Sequence, residues 1–271
     1  MTDAELIMGY LEHLKWRNRS VNTINIRRIY LSHLSLTLGP LAKVKPKALR
    51  AWMADPARNL EASSQSTYLS TYRSFYTWAM KERLVKKDPT LRIEMPTVKR
   101  AEPHPITDAD RLRCLAEADP VMLIWLLLGS LAGCRCQEIA LMRREDIRDD
   151  ETMRVFIAYG KGGKSRFVPL APALLDALNA WEMPAEGRLW ALNPAQMSKA
   201  INLYLHTLDA KRVDGEPATA HSLRHWFGTK TYQASKDLRL TQILMGHSSP
   251  STTAGYAAAD MSQAAGVVNS L

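Results

Sequence analysis

Between Lys86 and Pro105 the chain reads KKDPTLRIEMPTVKRAEPHP, with four prolines and no sustained apolar period. Proline has no backbone N–H to donate, and it pushes the residue before it out of the helical region. Neither a long helix nor a central strand can run through such a stretch, which reads as an extended basic linker. Whatever the chain builds is therefore built in two pieces, and 271 residues suffice for each to bury a core. The sequence places a first domain at residues 1–97, a linker at 98–106 and a second domain at 107–271.

The first piece reads as four helices. Thr2 and Asp3 can cap a helix with Leu6, Tyr10 and Leu14 on one face. Ser20 or Asn22 opens a second, with Ile24, Leu31, Leu34 and Leu38 inward, Arg27 and Arg28 on another face, and Gly39-Pro40 as the stop. Pro46 starts a short third helix through Trp52, and Ser63 begins a fourth. There Tyr68, Tyr72, Phe75, Tyr76 and Ala79 share one helical stripe, read as core rather than as a base-stacking surface.

In the second piece Thr107 caps the helix TDADRLRCLAEAD, and an apolar helix runs from Val121. Arg135 lies near the start of a helix RCQEIALMRRED with Ile139 and Met142 inward. MRVFIAY and SRFVPL read as two strands of a hairpin about GKGG. Helices from Pro172 through Trp181, from Pro194 through Leu208, around His221, and over DLRLTQILMG and PSTTAGYAAA complete the piece. The expected fold class is mainly α with a small antiparallel β-sheet, in two domains.

Charge is unevenly shared. Residues 1–100 hold 18 lysines and arginines against 8 acidic residues, whereas residues 101–271 hold 18 against 19. A basic half beside a near-neutral half suits a grip on a polyanion, though the same excess would also serve solubility. The longest apolar run, Val121 to Ala132, falls short of a membrane span, and the N-terminus lacks a signal-peptide pattern. Cys114, Cys134 and Cys136 are too few for a disulfide framework and lack zinc-ligand spacing. A reduced cytoplasmic protein, not bound to membrane, is expected.

Five residues of the second half form one chemical set: Arg135, Lys161, His221, Arg224 and Tyr256, with His247 nine positions before the tyrosine. Guanidiniums hold phosphate oxygens with two parallel hydrogen bonds and keep their charge, imidazoles carry protons, and a phenol can attack. The set suits attack on a phosphodiester. No carboxylate cluster is at hand for magnesium, so no metal and no cofactor is expected. Taken singly, each residue has an ordinary reading: a packing tyrosine, satisfied histidines, a solvated turn lysine, an arginine cap.

Four segments remove that ambiguity. AGCRCQEIALMRREDI, GKGGKSRFVPL, HSLRHWFGT and LMGHSSPSTTAGY resemble, in order and spacing, the signature segments of the tyrosine recombinases, or phage integrase family. The helical basic half is similar, more weakly, to that family's SAM-like core-binding domain. The resemblance implies site-specific DNA cleavage and rejoining, with Tyr256 as nucleophile forming a 3′-phosphotyrosyl link. It implies Arg135 and Arg224 on the non-bridging oxygens, Lys161 as general acid, His221 assisting at the nucleophile, His247 on the phosphate and Glu138 as a brace behind Arg135. Expected DNA contacts are Arg27, Arg28, Lys43, Lys45, Lys47, Arg73, Lys164 and Arg166. Cys134, Cys136, Trp226 and Met245 depart from the family's usual residues without removing a catalytic group.

The implied partners are a double-stranded DNA recombination site, a homotetramer on paired sites and an accessory directionality factor. The C-terminal segment AADMSQAAGVVNSL would dock on a neighbouring subunit or pack on its own domain. Without the arm-binding module of larger phage integrases, the chain resembles the small integrase or Xer-like type. Relaxation of the type IB topoisomerase kind, and a catalytically silent DNA-binding regulator, are the alternatives.

Overall fold

The structure is a computed structural model that describes residues 1–98, 102–149, 154–159 and 165–246, with only the backbone described at 149, 154–159 and 165. The sequence features at Lys161, Lys164, His247 and Tyr256, the GKGG turn and the PSTTAGYAAA helix lie outside the described residues. Two compact units emerge, Met1–Arg100 and Ala101–Leu271.

Four helices make the first unit: α1 (Asp3–Trp16), α2 (Val21–Leu38), α3 (Pro46–Ala54) and α4 (Ala62–Lys81). α1 starts where expected, because the Thr2 hydroxyl accepts from the Glu5 N–H while the Glu5 carboxylate accepts from the Thr2 N–H. Ser20 caps α2. Leu6, Tyr10 and Leu14 of α1, Leu31 and Leu34 of α2, and Tyr72, Phe75, Tyr76 and Ala79 of α4 are buried together. The aromatic stripe of α4 is core, with Tyr10 edge-on to Phe75 at 5.5 Å between ring centres.

The linker expectation needs correction over its first part. Thr90 and Ile93 are buried on the first unit, and the carbonyls of Arg92 and Ile93 accept from Arg50 and Arg73. Prolines in this stretch stop helices without freeing the chain, because Ile93 still reaches the core while Leu91, Met95 and Val98 stay exposed.

The second unit contains α5 (Asp108–Ala116), α6 (Pro120–Leu131), α7 (Cys136–Leu141), β1 (Ile147–Asp149), β2 (Arg154–Tyr159), β3 (Ser165–Pro169), α8 (Pro172–Ala180), α9 (Pro194–Thr207), α10 (Ala220–Ser235) and α11 (Leu238–Met245). Ile124, Leu126, Leu127 and Leu128 put apolar groups on every side of α6, which lies in the core against α5, α7, α8, α9 and α10. The sheet is antiparallel in the order β1-β2-β3, with Ile157 opposite Phe167. Strand β1 is a third member that three residues are too short to announce by period. The helix expected from Arg135 to Asp146 is shorter: α7 ends at Leu141, and Arg144–Asp146 form a separate 3-10 turn. The Asp146 carboxylate accepts the Arg143 N–H at that break.

Candidate active site

Arg135 sits at the N-cap of α7, with its side chain 34 % exposed. Glu138, one turn on, turns back: one carboxylate oxygen accepts the Arg135 backbone N–H at 2.8 Å, the other its Nη1 at 2.9 Å. The same carboxylate takes a two-pronged bond from Arg166 of β3, Nη1 at 2.7 Å and Nη2 at 2.9 Å. Burial alone would raise the Glu138 carboxyl, but the Arg166 hydrogen bonds and charge, the Arg135 N–H and the Arg224 charge hold it below its ordinary value. Glu138 is thus a buried anion fixing one half-exposed and one buried cation.

Arg224, on α10, is only 2 % exposed. Its Nη1 donates to the Gly133 carbonyl and its Nη2 to the Met245 carbonyl. A buried guanidinium needs such acceptors, and here they come from the turn before Arg135 and from the C-terminal end of α11. Gly133 makes this possible at φ +59°, where a Cβ would lie 2.4 Å from the Phe227 ring. His221, one turn before Arg224, keeps its ring partly open to solvent, edge-on to His225 at 4.6 Å. Desolvation by its surroundings, then the Arg224 and Arg135 charges, lower its imidazole below the ordinary histidine value, so the free protein carries it neutral at pH 7.

The structure therefore brings Arg135, Glu138, His221 and Arg224 together, while Lys161, His247 and Tyr256 lie outside the described residues. Arg166 was expected on DNA and is found inside the protein. Strand alternation puts it on the same face as Val168 and Leu170, both buried, whereas Phe167 points out. In the first unit Arg28, Lys43, Lys45 and Lys47 are exposed. Arg27 and Arg73 are only half-exposed and already bonded to protein: Arg27 to the Tyr10 and Ser74 hydroxyls, Arg73 to the Ile93 carbonyl. Arg27 is one turn from Ile24 and from Leu31, on the inward side of α2 and not on a separate face. Lys164 lies outside the described residues.

Three contributors were not singled out in the sequence. Gly133 is one, legible only as a glycine two positions before the arginine. The α11 end is another: Arg166 Nε donates to the Leu244 carbonyl at 2.8 Å, beside Arg224 on Met245. These carbonyls belong to the negative end of a helix and welcome cations. The third is a brace behind α10, where the Arg111 guanidinium lies 4.0 Å from the Trp226 ring centre and Asp108 accepts from Trp226 and Lys230. Cys134 is a core thiol, pushed up to about 12 by burial and the Glu138 charge, and Cys136 is half-buried. Among the described residues no group of three histidine, cysteine or acidic side chains could hold a metal. No described helix is long and apolar enough to cross a membrane.

Two arginines, an imidazole and a buried carboxylate that orients one arginine are groups that can bind an oxyanion and stabilise charge it gains. The comparisons give that class of site its family. The phage integrase family model matches residues 104–263, and the model of the phage integrase N-terminal SAM-like domain matches residues 7–83. The chain belongs to the phage integrase family and is a site-specific tyrosine recombinase. It is 32 % identical over 270 residues to "Tyrosine recombinase XerC" of Mycobacterium tuberculosis (strain ATCC 25177 / H37Ra), covering 88 % of each chain. To "Tyrosine recombinase XerD" of Pseudomonas aeruginosa PAO1 it is 29 % identical over 224 residues, covering 76 % of this chain and 74 % of that one. Its fold matches a lambda integrase dimer bound to a COC′ core site with a TM-score of 0.74 at 17 % identity, over 94 % of this chain and 77 % of that one. The Tn1549 transposon integrase in complex with transposon right end DNA matches at 0.72 and 19 %, over 98 % of this chain and all of that one. Neither the relaxing nor the silent alternative gains support.

Proposed function

We infer that this recombinase cuts one strand of a double-stranded DNA site by attack of Tyr256 on a phosphate, forming a 3′-phosphotyrosyl link and freeing a 5′-hydroxyl. The observation that carries the reading is the preorganised pair of guanidiniums, Arg224 buried on two carbonyls and Arg135 held by Glu138. Arg135 and Arg224 hold the non-bridging oxygens and stabilise the charge of the pentacoordinate phosphorane. His221, neutral at pH 7, can accept a proton from the tyrosine hydroxyl, a phenol being a poor nucleophile while protonated. Lys161 protonates the leaving 5′-oxygen, and His247 hydrogen-bonds the phosphate. No metal or ATP is needed, because the cations are side chains and the phosphotyrosine bond retains the phosphodiester energy for rejoining.

The basic first unit, with Arg28, Lys43, Lys45 and Lys47 exposed, grips the DNA backbone, as does Lys164 in the second. Four subunits on paired sites supply one cut for each strand, and the chain acts in the cytoplasm, where such DNA lies. Residues 1–97 and 107–271 form the two domains, with 98–106 joining them.

The test is a duplex nicked close to the cleavage position, so that the short 5′-hydroxyl fragment diffuses away and traps the covalent adduct. Wild-type protein should accumulate adduct, Tyr256→Phe should bind the same DNA without forming any. Adduct from the phenylalanine variant would overturn the assignment and turn attention to Tyr232. Tyr204 is the weaker candidate, since its hydroxyl donates to the Cys114 carbonyl at 2.8 Å.

A further inference from the structure

We propose that Arg166 is a positioning residue of the recombinase, a clamp that fixes Arg135 through Glu138 and, in the same side chain, the α11 end from which the chain leads to His247. The inference rests on the reading of Arg135 as a phosphate-holding group. It replaces the DNA-contact role that the sequence suggested for Arg166.

The geometry is specific. All three guanidinium nitrogens donate to protein: Nη1 and Nη2 to the two oxygens of Glu138, Nε to the Leu244 carbonyl. The side chain is 8 % exposed and the Glu138 side chain 1 %. Glu138 in turn holds both the backbone and the side chain of Arg135. The α11 end closes tightly over the clamp: Gly246 is left-handed at φ +59°, and a Cβ there would lie 2.8 Å from Arg166 Cδ. One side chain therefore joins three signature segments: β3, which starts four residues after Lys161, α7 and the turn ahead of His247. Lysine carries the charge but cannot present a planar fork and a third donor at once, so it cannot replace arginine here.

The anion at the centre makes the clamp readable. Glu138 faces Arg135 from α7, Arg166 from β3 and Arg224 from α10, with the buried Cys134 thiol beside it among the described residues. Without Arg166, burial works against the carboxylate with less to oppose it, and a protonated Glu138 keeps only part of its grip on Arg135.

The experiment uses the full chain on the nicked duplex, with Arg166→Lys, Arg166→Gln, Glu138→Gln and the double variant of the last two. DNA affinity and its salt slope should stay near wild type in Arg166→Lys, while single-turnover cleavage falls roughly 10²-fold, the usual cost of a misplaced reacting group. Arg166→Gln should move the acid-side loss of cleavage to higher pH than the loss that protonation of His221 sets in wild type, and adding Glu138→Gln should remove that extra shift. In the DNA-free chain, hydrogen exchange at the Arg135 and Gly246 amides should speed up together in Arg166→Lys. Affinity and salt slope falling in step with cleavage would make Arg166 a DNA contact after all and overturn the proposal. So would pH profiles that merely scale down, or unchanged exchange at both amides. Absence of adduct from wild-type protein would overturn the catalytic reading instead, and the exchange measurement would still decide the clamp.

Discussion

The two units handle their positive charge in opposite ways. In the first, Arg28, Lys43, Lys45 and Lys47 stand in water around a core dominated by Tyr10, Tyr72, Phe75, Tyr76 and Trp78. In the second, Arg224 is 2 % exposed and Arg166 8 %, each embedded and matched to carbonyls or to Glu138. An exposed charge adds a little to a summed field, is screened by salt, and can be moved without disturbing its neighbours. An embedded charge must be fully matched before any substrate arrives, and its position is therefore set in advance. On the proposed function, the difference separates holding a polyanion from stabilising one phosphate as it reacts. If it is real, equally mild substitutions should have very unequal effects in the two units.

The largest effect belongs to Arg224. Arg224→Lys keeps the charge but leaves the Gly133 or the Met245 carbonyl without its donor. Cleavage on the nicked duplex should fall by roughly 10²–10³-fold, the scale of losing one preorganised donor. Arg28→Lys in the first unit should leave the single-turnover rate unchanged. Near-normal cleavage by Arg224→Lys would erase the distinction between the units.

Gly133 tests the same arrangement through the backbone. An alanine there must adopt φ +59° and meet the Phe227 ring, a strain on the order of 1–3 kcal/mol. Urea unfolding of Gly133→Ala should show that loss, accompanied by slower cleavage, because the displaced carbonyl is the one that positions Arg224. Gly215, at φ +84° with open space around its Cβ position, is the control: alanine there is strained but should leave cleavage intact.

Much of this was legible in the sequence. Amphipathic periods and caps marked most helices, with Thr2, Ser20 and Thr107 all capping as their sequence context suggests. Arg135, His221 and Arg224 stood out by motif, and the fold does bring them together. The surroundings of the arginines expected on DNA were less legible. Arg166 sits at a position whose strand period points inward, whereas Arg27 and Arg73 are half-exposed and bonded to protein groups. The SRFVPL alternation already placed Arg166 with Val168 and Leu170. What no pattern could supply was the acceptor, since the Leu244 and Met245 carbonyls lie in a segment far along the chain from Arg166. The three-residue β1 lay below the length at which a period becomes visible, and the end of α7 at Leu141 is marked by no proline or glycine.

In the first unit the expected effect is smaller and additive. Replacing Lys43, Lys45 and Lys47 with alanine should weaken DNA binding and flatten log K against log[salt] by about 0.9 for each phosphate released. Cleavage at saturating protein should survive, since none of the three is among the residues proposed to hold the reacting phosphate. A cleavage rate that falls at saturation would mean these lysines place the DNA as well as hold it.

The smallest effect, and the most direct report on the embedded cations, is the titration of His221. Desolvation comes first in lowering its imidazole, and the Arg224 and Arg135 charges add to it. A histidine whose folded pKa lies below its unfolded value disfavours protonation in the native state, so this group costs stability as pH falls below the ordinary histidine value of about 6.5. In DNA-free protein, NMR should find His221 titrating below that value. Arg135→Ala removes one repelling charge but leaves desolvation and Arg224, so the midpoint should rise only partway toward 6.5. The charge-preserving Arg135→Lys should shift it less. A midpoint at the ordinary value in wild type, or one indifferent to Arg135→Ala, would show that the arginines do not act on His221 as a fixed field. The contrast between matched and solvated charge would then lose its electrostatic half and rest on hydrogen bonding alone.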